Sequence, residues 1–250
     1  MNIKYVKFFV LAVTLNGFIC SVAQANKLDV FPEKAQTTTQ PFTTQKVLDA
    51  KTILMDKLAN LDYFTANFSQ EVHSDSGEIL EQSAGKLAIS KPNLANWHTI
   101  EPDELAIVSD GQDVWFYNPW IEQVSVYSLS AAIAKTPILL LTSKDETLWQ
   151  QYTITKLTPS KEVLTKANNN TDMESFVISA KDINSQIKSL TLTFDLSKEK
   201  GNLKQLSFLD ATGQLSKINL SDFDVQSVPE ASLFNFVVPE GVQVDDQRGN

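Results

Sequence analysis

Cysteine is almost missing from this chain: Cys20 is the only one in 250 residues. Past the N-terminal segment that holds it, there is no disulfide framework, no thiolate nucleophile and no cysteine metal ligand. Histidine is nearly as scarce, with only His73 and His98 and no HExxH-type spacing. A catalytic zinc centre wants three protein ligands, so two isolated histidines argue against a metal site. GxSxG, GxxxxGK[ST] and GxGxxG are all absent, which removes the hydrolase elbow and the phosphate-cradling loops. The acidic neighbours Asp103-Glu104 and Asp245-Asp246 sit in a turn and in the tail, where such pairs are solvated charge. Beyond the N-terminus no apolar run approaches the ~20 residues that span a bilayer. Nothing here calls for a cofactor or for catalysis.

What is present starts with an export signal. Lys4 and Lys7 form a positive start, residues 8–19 are apolar, and Ala23-Gln24-Ala25 is a small-x-small cleavage pattern. Residues 1–25 read as a removed signal peptide, so Cys20 leaves with it. A lipid-attachment cysteine would want a small residue before it, and Ile19 stands there. About 225 residues remain, a size common for a single all-β domain. Without Lys4 and Lys7, 19 basic residues face 30 acidic ones, a formal charge of −11. That excludes general nucleic-acid binding and electrostatic attraction to anionic lipid.

Residues 26–44, polar and broken by Pro32 and Pro41, read as a flexible arm before one domain over 45–250. Val47, Ala50, Leu54, Leu58 and Leu61 recur at spacings of three and four, predicting a helix over about 44–61 capped by Thr43 or Thr44. Phe64, Ala66, Phe68, Gln70 and Val72 alternate with polar residues, which marks a half-buried strand. Asp75-Ser76-Gly77 turns the chain back into residues 79–90, where Gly85 signals a bulge or bend. Residues 91–129 hold Trp97, Trp115 and Trp120 and supply about four more strands, with a hairpin at Asp110-Gly111. Residues 129–134 suggest a short helix, and Thr136-Pro137 a capped second one through Ile138-Leu139-Leu140-Leu141. Four adjacent aliphatics cannot share one helix face. The segment is therefore buried all round, or it covers something apolar. Strands resume at 152–157, 174–180, 189–196, 203–209 and 215–223, around a solvated loop at 158–172 and a hairpin at Ala211-Thr212-Gly213. The fold class is mainly β, with roughly 10–12 antiparallel strands and two helical interruptions. A packed core and a ligand cavity stay open alternatives at this point.

Several ordered motifs resemble one family. Pro92-Asn93-Leu94-x-Asn96-Trp97, Pro102-Asp103-Glu104, Ser109-Asp110-Gly111, Trp115-Phe116-Tyr117-Asn118-Pro119, Glu122-Gln123 and Thr136-Pro137 are similar to the periplasmic outer-membrane lipoprotein carrier (LolA) family. Phe64-x-Ala66-x-Phe68-x-Gln70 and Gly241-Val242-x-Val244-Asp245-Asp246-Gln247 extend the likeness to roughly residues 54–248.

The resemblance implies an unclosed barrel with a helical lid over an apolar cavity. The function it implies is a monomeric periplasmic carrier of acylated lipoproteins. Its partners would be an inner-membrane lipoprotein-releasing ABC transporter and an outer-membrane lipoprotein receptor. The receptor is itself lipid-anchored, so Ile19 before Cys20 favours the carrier. Cavity and lid candidates are Leu54, Leu58, Ala95, Trp97, Trp115, Tyr117, Ile133, Leu139 and Leu140. Lys91 stands where the family commonly has an Arg that latches the lid, and is expected to donate to carbonyls near residues 134–139. It offers a point charge instead of a planar fork. Ala95 replaces a usual aromatic. A related periplasmic lipid-binding or sensor domain and an exported lipid-modifying enzyme are the alternative readings.

Overall fold

A computed structural model describes residues 49–133, 136–157, 173–197 and 202–249. The expected signal peptide, the arm at 26–44 and the loop at 158–172 lie outside the described residues. Among the described residues twelve strands run in chain order: β1 (Tyr63–His73), β2 (Ile79–Ser90), β3 (Leu94–Glu101), β4 (Leu105–Asp110), β5 (Asp113–Asn118), β6 (Gln123–Ser128), β7 (Tyr152–Leu157), β8 (Met173–Ala180), β9 (Ile187–Asp195), β10 (Asn202–Asp210), β11 (Leu215–Asp224) and β12 (Gln243–Asp246). They form one sheet in the order β12-β6-β5-β4-β3-β2-β1-β11-β10-β9-β8-β7. β12 and β7 end that order without pairing to each other, so the barrel does not close.

The mainly-β, unclosed expectation holds, with one correction. β12 joins β6 in parallel, in the register Gln243↔Gln123 to Asp246↔Val126, so the sheet is mixed at that edge. The tail gave no strand signal because it is four residues of mostly polar chain. Its pairing follows from topology: β12 is reached by a long crossover from β11, not by a hairpin, and only hairpin neighbours must be antiparallel.

Two glycines shape the sheet. Gly111 takes φ +99° in the β4–β5 hairpin, where Asp110 Oδ1 accepts the Gln112 and Asp113 amides at 2.9 and 2.8 Å. Gly85 lies where the β2–β3 register shifts, and a Cβ there would stand 2.0 Å from His98 O and 2.8 Å from Thr99 Cα. The strands close up over the missing side chain, which lets Phe68 and Trp97 approach to a ring distance of 4.0 Å.

Helix α1 (Ala50–Ala59) starts at Asp49, whose side chain accepts the Thr52 amide at 2.7 Å. The cap is thus Asp49, not Thr43 or Thr44. Between β6 and β7 come α2 (Leu129–Ile133), a 3-10 segment (Pro137–Thr142) and α3 (Glu146–Trp149). The expected α-helical run after Thr136 is a 3-10 turn without a side-chain cap, and α3 had no clear sequence signal. β6 and β7 lie near opposite edges of the sheet, so this connection must cross it. The β11–β12 connection makes a second crossing, with a 3-10 turn (Ala231–Phe234) bonded to β3 through Asn96 Nδ2 and Leu233 O at 2.6 Å.

Candidate functional site

Side chains directly opposite in an antiparallel ladder share a face. One such row runs Phe64, Ile89, Ala95, Ser109, Val114 and Tyr127 across β1 to β6. A second runs Ala66, Leu87, Trp97, Ile107 and Phe116. On the far half, Leu220, Ile218, Leu206, Leu192, Leu190, Phe176 and Ile178 occupy the same face. All of these apolar residues belong to, or pack against, one buried cluster, so the sheet curls around them. The inner face is almost wholly apolar.

Its cover is the β6–β7 crossing. Every residue of the Pro137–Thr142 segment is buried, with Leu139 0% and Leu140 2% exposed. This is the first of the two arrangements that four adjacent aliphatics left open. A cavity of about 20 Å³ lies beside Ile133, Pro137, Leu140, Tyr152, Ile178 and Leu190. That is room for about one water. Leu54 and Leu58 enter the same cluster from α1, and Ile133 from α2.

The turn 91–93 grips both covering pieces. Lys91 Nζ donates to Leu58 O at 2.5 Å, at the C-terminal end of α1. Asn93 N–H donates to Thr142 O at 3.2 Å, at the end of the 3-10 segment. Among the described residues the Lys91 ammonium thus bonds to α1, while residues 134 and 135 of the expected acceptor stretch lie outside the described residues. The physical reason is local: the Lys91 amide is bonded to Asp62 O at 2.7 Å, which sets its side chain beside the carbonyls that α1 leaves open. Burial lowers the Lys91 ammonium to about 8, with Asp62 raising it and Lys144 lowering it further.

The sequence candidates divide by strand parity. Leu54, Leu58, Ala95, Trp97, Ile133, Leu139 and Leu140 come together in the inner cluster. Trp115 and Tyr117 do not join them. They lie opposite Val108, Val126 and Val124 on the outer face, and both rest on Phe236 of the second crossing, at 5.6 and 5.7 Å between rings. The inner residues of β5 are Val114 and Phe116, one position off the aromatic pair that the sequence advertised. Also missed were Phe64, Leu87, Ile107 and the whole β8–β11 contribution. Alternation carried through the register from Trp97 would have found Ile107 and Phe116.

Polar chemistry is sparse near this face. His98 Nε2 lies 3.0 Å from Glu104 at the protein surface, and His73 Nε2, half-buried, lies 3.1 Å from Glu71. No group of three or more metal-ligating side chains occurs among the described residues.

The model of the family described as "Outer membrane lipoprotein carrier protein LolA" matches residues 59–237. The chain belongs to the LolA family. The outer-membrane lipoprotein carrier protein of Aeromonas salmonicida (strain A449) is 35% identical over 206 residues, covering 82% of this chain and 93% of that one. Its counterpart from Shewanella sediminis (strain HAW-EB3) is 38% identical over 199 residues, 79% of this chain and 86% of that one. Among solved structures, a LolA superfamily protein from Nitrosomonas europaea is 15% identical and covers 76% of this chain and 99% of that chain, with a TM-score of 0.42. The family assignment rests on the sequence matches. It makes this chain a lipoprotein carrier protein and gives the covered inner face its context.

Proposed function

We propose that the chain is a monomeric, non-enzymatic periplasmic carrier. It takes acylated lipoproteins from an inner-membrane ATP-driven transporter and passes them to an outer-membrane receptor. The acyl chains occupy the inner face and displace residues 129–149 from it. The observation that carries this reading is an apolar face covered by a crossing segment of buried aliphatics.

The energetics favour a carrier with a cover. Burying acyl chain is worth about 0.8 kcal/mol per CH₂. Two or three long chains would sum past the ~18–21 kcal/mol at which non-covalent affinities saturate. A carrier must also release, so its net affinity has to fall well short of that. Lifting Leu139, Leu140 and their neighbours off the sheet offsets part of the gain. Lys91 and Asn93 add the hydrogen bonds that hold α1 and the cover down.

The test is incubation of purified protein with a synthetic triacylated lipopeptide. The expected result is a soluble one-to-one complex with the lipopeptide chemically intact. Hydrolysis or transfer of an ester or amide bond would instead identify a lipid-modifying enzyme. Absence of any complex would remove the carrier reading.

A further inference from the structure

Helix α1 is fastened from two distant parts of the sheet. Lys91, after β2, holds its Leu58 carbonyl. On the other side Lys57 Nζ lies 2.7 Å from Glu174 Oε2 on β8, and the second Glu174 oxygen takes Lys156 on β7. Four strands separate β2 from β8 in the sheet order, and β7 ends that order among the described residues. Glu174 lies opposite Phe194 in the ladder, and Phe194 belongs to the inner cluster, so this carboxylate stands on the inner face. Its side chain is 11% exposed, and Lys57 also passes over the Phe194 ring at 5.4 Å from its centroid. Burial pushes the Glu174 carboxyl up, yet the hydrogen bonds from Lys156 and Lys57 outweigh it and hold it below the usual range.

The asymmetry of this triad is what matters. Breaking a buried ion pair is normally costly because one charge is left uncompensated. Here Glu174 keeps Lys156 when Lys57 departs, and Lys57 is carried back toward water on its long stem. α1 can let go without stranding a charge on an apolar face.

Resting on the carrier reading above, we propose that Lys57, Glu174 and Lys156 form an exchange latch at the β7 end of the sheet, which fastens α1 to the β7–β8 pair and gates entry of acyl chains between them. Lys57 is the half that releases, and Lys156 is the half that keeps Glu174 neutralised while the latch is open.

This division of labour predicts opposite effects from two lysines on one carboxylate. Uptake of a triacylated lipopeptide is timed by tryptophan fluorescence. Lys57→Met loads several-fold faster than the parent, and Lys57→Arg returns to the parent rate. Lys156→Met loads several-fold slower, because opening then leaves Glu174 unpaired. A plain structural ion triad would shift both in the same direction, and that result, or no shift in either, overturns the latch while parent loading leaves the carrier reading intact. A parent that takes up no lipopeptide overturns both. If Lys156→Met does not fold, acceleration by Lys57→Met with rescue by Lys57→Arg still supports the latch, and its absence refutes it.

Discussion

Leu140→Ala separates a displaceable cover from a permanent core. Leu140 is 2% exposed and lies beside the cavity of about 20 Å³ shared with Ile133, Pro137, Tyr152, Ile178 and Leu190. Truncating a buried leucine costs about 2–5 kcal/mol, toward the upper part of that range when the hole cannot collapse. The residue sits on a 3-10 segment between the short helices α2 and α3, which can settle a little, so about 3 kcal/mol is a fair working figure. In the carrier account that loss falls only on the closed form. An acyl chain displaces Leu140 either way, so binding should tighten by the same amount, roughly a hundredfold at 1.4 kcal/mol per factor of ten. The assay is titration with a triacylated lipopeptide, followed by tryptophan fluorescence, alongside chemical unfolding of the free protein. A variant that loses the full 3 kcal/mol of unfolding free energy with no change in Kd refutes the reasoning. Leu140 would then be core that never leaves.

Three further expectations address other parts of the structure. Gly85→Ala forces a Cβ to within 2.0 Å of His98 O. Overpacking of that kind costs about 1–3 kcal/mol or more, and at about 2–4 °C per kcal/mol a melting scan should drop measurably; an unchanged Tm would be incompatible with the close strand approach. Phe236→Ala strips the stack from Trp115 and Tyr117 on the outer face and should cost about 1–3 kcal/mol while leaving lipopeptide Kd within twofold, and a large Kd change would contradict the assignment of faces. Lys91 is lowered by burial from 10.5 to about 8, so between those values the unfolded chain binds the extra proton and stability rises with pH. The parent should therefore gain stability relative to Lys91→Met from about pH 8 to 10, and a difference flat across that window would show that Lys91 carries no buried charge.

Strand content was legible because its signals are local. Alternation in 64–72, the Asp110-Gly111 hairpin and the shared parity of Ala95 with Trp97 all depend on neighbours in the chain, and they hold in the structure. The errors come where side-chain type was allowed to outrank parity. Trp115 and Tyr117 are the largest residues of β5, yet the register turns them outward and Val114 and Phe116 inward. Their outward position is tolerable because a second crossing supplies Phe236, some 120 residues later in the chain, and nothing local announces that. The bond of Lys91 to Leu58 O was not legible for a similar reason. A resemblance indicates that a cation matters at that place, while the acceptor depends on where α1 ends in space. Glu174 gave no signal at all, since its two lysines come from α1 and β7 and only the curled sheet brings the three together.

The central claim is that acyl chains lie on the inner face beneath the crossing segment. The most direct measurement uses a triacylated lipopeptide with a photoactivatable diazirine in its acyl chains, crosslinked in the complex and mapped by mass spectrometry. The account predicts labels on inner-face positions such as Phe64, Leu87, Ala95, Trp97 and Phe116. Labels confined to Trp115, Tyr117 and Phe236 on the outer face, or no specific labelling, would contradict it.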